Sequence, residues 1–222
     1  MPRTLRALLF DMDGTLYTNG PYMAFQRRIL LEQLAQRQGT TFTALDEAVQ
    51  AYQNQWAQTH GGQTVSLSNT LVHFGLSIEA GIRLREELYE PEAYLQPDPL
   101  LRETLRTLGT AYVLAVVTNN PVLVAQKTLS ALGVADCFHG IVGLDTCGVS
   151  KPQAAPFLTA TEWCGVSPTD CVSVGDRYDI DIALPLTLGM GGLLVAGVAE
   201  VYQLKESLTA DLPLLGQHRY SG

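Results

Sequence analysis

The sequence predicts an α/β fold, a doubly wound parallel sheet carrying an inserted, all-helical unit. Three observations lead there. The chain opens on a short apolar run, Ala7-Leu8-Leu9-Phe10, of the kind that forms a strand buried on both faces. From residue 98 onward, apolar strand-like runs alternate with helical spacing, the pattern of a parallel sheet flanked by helices. Between the two, residues 18 to about 93 show helical periodicity and no evident strand. The helical stretch therefore reads as an insertion that splits one α/β unit in sequence, with the core at 1–17 and 95–222 and the insertion at 18–94.

Each element has a local reason. In the insertion, Phe25, Ile29, Leu30 and Leu34 fall at helical spacing, as do Leu45, Ala48, Val49, Tyr52 and Trp56. Gly39, Gly61-Gly62 and Gly75 punctuate the helices, and a last one is expected over 78–89, stopping before Pro91. A helix around 100–108 precedes a strand at 112–117. Asn120-Pro121 reads as a cap followed by Pro at the first helical position, with Gly133 closing that helix. Strands at 141–144, 171–174 and 191–195 then alternate with helices at 152–164 and 182–188. The tail is expected to hold a helix within 204–215.

Composition narrows the partners. Among 222 residues, 46% hydrophobic and 16% charged content is that of an ordinary globular chain. The net charge of −8, with no block of Lys or Arg, argues against nucleic acid and anionic membrane as partners. No apolar run approaches the ~20 residues of a membrane helix, and no signal-peptide pattern is read at the N-terminus. Cys137, Cys147, Cys164 and Cys171 show no C-x-x-C spacing, so reduced thiols and a cytoplasmic location are expected. A monomer or weak homodimer is the expected state.

The chemistry is concentrated where strands end. Asp11-Met12-Asp13-Gly14-Thr15 follows the first strand, and residues i and i+2 of an extended chain point to the same side. Two carboxylates that close repel, so the pair needs a cation or a chemical purpose. Thr118-Asn119-Asn120 follows the second strand, Lys151-Pro152 a later loop, and Gly175-Asp176, with Asp179 and Asp181 behind it, the fourth strand. In doubly wound sheets ligands bind outside the carboxyl ends of the strands, so these groups should converge. Hard oxygen ligands favour Mg²⁺, while Lys151 and the amides after Thr118 favour an anion such as phosphate.

Through these residues the chain resembles the haloacid dehalogenase-like hydrolases, a superfamily made mostly of phosphatases with a Rossmann-like core. Asp11-Met12-Asp13-Gly14-Thr15 matches the first motif, Thr118 the second, Lys151 the third and Gly175-Asp176-x-x-x-x-Asp181 the fourth. The insertion is similar to the family's small helical cap. The resemblance implies a hydrolase of small phosphate monoesters, such as a sugar phosphate or nucleoside monophosphate. Asp11 would be the nucleophile that becomes an aspartyl-phosphate, and Asp13 the general acid and base. Mg²⁺ would be held by Asp11, by Asp13 through its main-chain carbonyl and by Asp176, with Asp181 orienting from behind. Thr118, Asn119 and Lys151 would bind the phosphate oxygens.

Asp13 disfavours dehalogenation, because a leaving alkoxide needs a proton and a halide does not. A phosphoglucomutase-type transferase, a phospho-Asp receiver module and a catalytically weak regulatory protein are the alternatives. A receiver has adjacent acids and no helical insertion. In the insertion and just before it, Tyr17, Asn19, Tyr22, Arg27, Arg28, Trp56 and His60 are candidates for substrate contact. Trp56 also fits a core stripe and the arginines a solvated face. Asp179 reads as a helix cap or first-turn acid. Pro185 departs from the small residue usual there in the family, a minor cost if its helix begins near Asp179.

Overall fold

The structure is a computed structural model and describes residue 2 and residues 4–209. The chain runs β1 (Ala7–Phe10), then helices α1 (Gly20–Gln38), α2 (Phe42–Thr59), α3 (Leu67–His73) and α4 (Ile78–Leu88). It continues through α5 (Pro99–Leu108), β2 (Val113–Val117), α6 (Val122–Ala131), β3 (Gly140–Val142), α7 (Leu144–Cys147) and α8 (Ala154–Trp163). Strand β4 (Cys171–Gly175) leads into a π-helical turn, Tyr178–Ile182, and then α9 (Ala183–Thr187), β5 (Gly191–Leu194), α10 (Val198–Val201) and α11 (Leu204–Thr209). The part of the expected 204–215 helix beyond Thr209 lies outside the described residues.

The strands form one parallel sheet in the order β3-β2-β1-β4-β5. Strand β1 is central, with Phe10 in register with Val116 of β2 and Val174 of β4. Its alternation sorts the two faces. Leu8 and Phe10 pack with Leu101, Leu105 and Leu129 of α5 and α6, while Ala7 and Leu9 pack with Phe157 and Ala160 of α8. Helices thus cover both faces, as the alternation predicted. The strand order reverses between β1 and β4, and the carboxyl ends of those two strands frame the crevice where such sheets bind ligands.

Helices α1–α4 all lie between β1 and β2, as one insertion. Leu30, Leu31, Leu34, Leu45, Val49, Leu71, Leu84 and Tyr89 form its buried cluster, joined by Val124 of α6. Side-chain oxygens of Asn19, Thr41, Ser66 and Ser77 accept from the third amide beyond them and so cap the four helices. Helix α1 serves two neighbourhoods, since Tyr22 of its first turn packs with the sheet cluster and Leu30 with the insertion's own.

Two expectations change: the strand expected over 141–144 is β3, which ends at Val142 with Leu144 opening α7, and the cap of α6 comes from elsewhere. Asn120 does not cap α6; Asp145 does, its Oδ1 accepting the Val122 amide at 2.9 Å. A side chain from a later helix thus took the cap, and the Asn120 carboxamide points elsewhere. The segment holding Pro185 opens with the π-helical turn at Tyr178, which places Pro185 at the third residue of α9, where a missing N–H costs little.

Candidate active site

The site is built outward from Asp11. Its main-chain N–H donates to Val174 O of β4 at 2.8 Å, which continues the sheet one residue past β1. The chain then folds back tightly, with the Thr15 and Leu16 amides donating to Met12 O. Gly14 makes that turn at φ +82, and a Cβ there would sit 2.8 Å from Asp176 Cγ and closer still to its Oδ2. Glycine is therefore required both for the conformation and to let the loops after β1 and β4 meet.

Lys151 ties the acids together. Its Nζ donates to Asp11 Oδ1 at 2.6 Å and to Asp181 Oδ1 at 2.7 Å, and none of the three side chains is more than 3% exposed. Burial alone would lower the Lys151 pKa, but the Asp11 and Asp181 carboxylates outweigh it and hold the ammonium charged. Asn119 fixes the lysine's backbone: its Oδ1 accepts from Lys151 N at 2.7 Å and its Nδ2 donates to Lys151 O at 3.3 Å. Thr118 is buried, and its hydroxyl accepts the Asn120 amide at 3.2 Å.

Asp181 is also held from its other side. Its Oδ2 accepts from Arg177 N at 3.1 Å, and its main-chain oxygen accepts from Ser173 Oγ at 2.7 Å. A Cβ at Gly175 would sit 2.6 Å from Asp181 Cγ, so glycine gives that carboxylate its place.

Asp176 is different. Its Oδ1 is buried without a hydrogen-bond partner, and so is Asp11 Oδ2. Arg177 Nε is 3.8 Å from Asp176 Oδ1, and the Arg177 side chain is 44% exposed. Burial, and after it the charge of Asp11, pushes the Asp176 carboxyl up to about 7. Burial and Asp11 likewise raise Asp181, with Lys151 acting against them.

Ligand atoms of Asp11, Asp176 and Asp181 all lie within 4.8 Å of one another. Two carboxylate oxygens without donors, in mutual repulsion, are the environment a divalent cation relieves. The acidic set thus fits a hard cation such as Mg²⁺. Asp181 has hydrogen bonds on both carboxylate oxygens, so the open ligand positions belong to Asp11 and Asp176.

The Asp13 carboxylate lies outside that set and has a different neighbourhood. Oδ1 accepts from the Tyr17 hydroxyl and from Gln26 Nε2 at 3.1 Å; Oδ2 accepts from Asn120 Nδ2 at 2.8 Å. Burial first, and then the Asp11 charge, raise its pKa, with Tyr17 and Gln26 pulling the other way. Gln26 has no signal in the sequence, where glutamines are plentiful in the insertion; Asn120 stands among the strand-end groups expected to converge, but as a helix cap and not as a partner of Asp13.

The remaining candidates fall elsewhere. Asn19 caps α1 and donates to Tyr94 O at 2.9 Å. Arg27 pairs with Asp46 in a half-buried contact, while Arg28, paired with Glu32, is exposed. Trp56 stacks on the exposed His60 with ring centroids 3.8 Å apart. Tyr22 is buried against Tyr94 and Tyr17. Asp179 lies in the π-helical turn and accepts the Thr64 amide at 3.0 Å, which ties the loop before α3 to the edge of the site. Ser66 Oγ meets Ser150 Oγ at 3.0 Å in a second, buried tie beside Lys151.

Known proteins resemble this chain in sequence and in fold. The family model described as haloacid dehalogenase-like hydrolase matches residues 5–184. A phosphoglycolate phosphatase of Aquifex aeolicus is 31% identical over 180 residues, 80% of this chain and 78% of the relative. A glyceraldehyde 3-phosphate phosphatase of Methanopyrus kandleri is 28% identical over 182 residues, with the same coverage of each. The crystal structure of a HAD phosphatase from Thermococcus onnurineus shares the fold, with a TM-score of 0.63, 24% identity and coverage of 92% of this chain and 98% of that one. The chain belongs to the haloacid dehalogenase-like hydrolases, on their phosphatase branch.

Proposed function

We propose that this chain hydrolyses small phosphate monoesters in two steps through Asp11, with Mg²⁺ bound at the acidic cluster. The observation that carries the reading is the state of the Asp11 carboxylate: Oδ1 is held by Lys151 at 2.6 Å, and Oδ2 has no partner. A carboxylate fixed at one oxygen and free at the other is prepared to act as ligand and nucleophile. Asp11 and Asp176 would hold the ion through their unpartnered oxygens, with Asp13 contributing its main-chain carbonyl. The ion, when bound, supplies positive charge that offsets the acids and the phosphoryl oxygens.

The rest follows from this chain's own groups. Asp11 attacks phosphorus, and Asp13 gives its proton to the departing alkoxide, so that the alcohol leaves neutral. Asp13 then takes a proton from water as the water attacks the aspartyl-phosphate and restores Asp11. Lys151 uses two N–H groups on Asp11 and Asp181, which leaves its third for a phosphoryl oxygen. Thr118 and the main-chain N–H of Asn119 complete the phosphate contacts; the Asn119 carboxamide instead keeps Lys151 in place. Helices α1–α4 act as a cap that selects the rest of the substrate. The named activities of the two relatives, on phosphoglycolate and on glyceraldehyde 3-phosphate, support a small metabolite as that substrate.

A panel of phosphomonoesters of two to six carbons and of nucleoside monophosphates, assayed for phosphate release with Mg²⁺ and with chelator, tests the reading. Sustained release that stops with chelator supports it. Uptake of a single phosphate without turnover, or transfer to a second sugar instead of water, overturns it.

A further inference from the structure

The donors around Asp13 are arranged unequally on its two oxygens. Oδ1 accepts from both Tyr17 and Gln26, which engages both of its lone pairs. Oδ2 accepts only from Asn120, at 2.8 Å, and keeps one lone pair. Tyr17 is 3% exposed and Gln26 8%, and Gln26 Nε2 is 3.4 Å from the Tyr17 hydroxyl. Gln26 is itself anchored, because the buried Tyr89 hydroxyl donates to its main-chain oxygen at 2.9 Å. Burying a primary amide is costly unless its N–H groups find an acceptor, and the acceptor here is Asp13. Position 26 follows the buried Tyr22 by one helical turn on α1, where an apolar side chain would pack without that cost.

We infer that Tyr17 and Gln26 are positioning residues for proton transfer by Asp13, occupying Oδ1 so that Oδ2 is the atom that carries the proton. The inference rests on the phosphatase reading given above. In the first step the O–H bond at Oδ2 breaks as the ester P–O bond breaks and the Asp11–phosphorus bond forms, and the proton goes to the leaving oxygen. In the second, a water proton returns to Oδ2 while the water oxygen bonds phosphorus and the Asp11–phosphorus bond breaks. Without the two donors the carboxyl group can turn about Cβ–Cγ, and the protonated oxygen no longer faces one direction. Gln26 also belongs to the insertion, so one side chain of that helical unit takes part directly in setting the acid.

The consequence is a dependence on the leaving group. An alkoxide needs the proton to depart, whereas a nitrophenolate leaves unaided. Leaving-group release is measured in a single turnover with excess enzyme and Mg²⁺, for an alkyl phosphate and for p-nitrophenyl phosphate, in wild type, Tyr17→Phe and Gln26→Met. Each substitution is expected to slow the alkyl ester about tenfold more than the nitrophenyl ester, with half-saturation shifted less than about twofold. Equal slowing of both esters, or no slowing of either, overturns the positioning role. Wild type that releases neither leaving group overturns the phosphatase reading instead. Tyr17→Phe keeps its ring packed against Tyr22 and carries the test alone should Gln26→Met fail to fold, with thermal melting of both variants as the check.

Discussion

The two sides of the cleft are built from opposite materials, though their central carboxylates are only two residues apart. Around Asp11 the partners are charged: Lys151, Asp176 and Asp181. Around Asp13 they are neutral donors: Tyr17, Gln26 and Asn120. A buried ammonium balances charge and fixes one carboxylate oxygen, which suits a nucleophile. Neutral amides and a phenol can hold a carboxyl group in either protonation state, which suits a group that must give and regain a proton. Similar side chains thus meet different surroundings, as the proposed division of roles requires.

Exchanging the two acids one at a time strains that contrast most. Asp11→Asn should lower kcat by about 10⁴-fold or more, since no nucleophile remains; steady-state phosphate release close to wild type would break the assignment. Asp13→Asn should lower kcat by about 10²–10⁴-fold, and rapid acid quench should trap phosphate on the protein. A variant at residue 13 that shows neither effect would erase the distinction between the sides.

Removing the charge that defines the Asp11 side comes next. Lys151→Met leaves two buried carboxylates facing each other, and urea unfolding at pH 8 without metal should show a loss of about 3–5 kcal/mol. The loss should shrink at pH 5, where the acids can take up protons. An unchanged midpoint at pH 8 would mean that the pair contributes no net stability.

Metal and pH sharpen the same side. With Asp176 near 7 folded against an ordinary carboxyl near 4 unfolded, the folded protein binds more protons between those values, so stability from this group falls as pH rises through that window. A cation that replaces the proton should therefore stabilise more at pH 8 than at pH 5.5. At a hundredfold excess over Kd the gain is about 2.7 kcal/mol, or roughly 5–10 °C in a chain of this size. A melting shift from Mg²⁺ that is equal at both pH values would count against Asp176 as its ligand.

The smallest effect is expected at the rim. Asp179→Ala removes the acceptor for the Thr64 amide, an exposed contact, and should change stability by about 0.5 kcal/mol or less. A larger loss in a denaturant titration would show that this tie holds the insertion to the sheet.

Much of the charged side was legible in the sequence, because Asp11 and Asp176 follow apolar strands directly and strand ends converge in a doubly wound sheet. Thr118 follows a strand as well, while Lys151, in the loop between α7 and α8, is singled out through the resemblance to the family's ordered motifs. The neutral side was legible only in part: Tyr17 and Asn120 follow strands closely enough to be candidates, but nothing in the sequence pairs them with Asp13. Gln26 lies in mid-helix among many glutamines, and only the packing of α1 against the loop after β1 turns it toward Asp13. Asn120 precedes a proline at a helix start, where a capping role is the local expectation; the arrival of Asp145 from a distant helix frees it. The Asn119 carboxamide is occupied with the Lys151 backbone, a pairing across 32 residues that no local pattern announces, which leaves the main-chain N–H for the proposed phosphate contact.

The central place of β1 has a consequence for how the protein is made. Its hydrogen-bonded neighbours are β2, about 106 residues later (Ala7 with Val113), and β4, 164 residues later (Phe10 with Val174). At about 5–20 residues per second on the ribosome, the first strand waits roughly 8–33 s before its last partner exists. Helices α1–α4 can form from local contacts in that interval, but Ala7-Leu8-Leu9-Phe10 cannot be sheltered on both edges. The nascent chain thus carries an apolar tetrapeptide with an unpaired edge until β4 has been made, and Asp11 and Asp13 become neighbours of Asp176 only then.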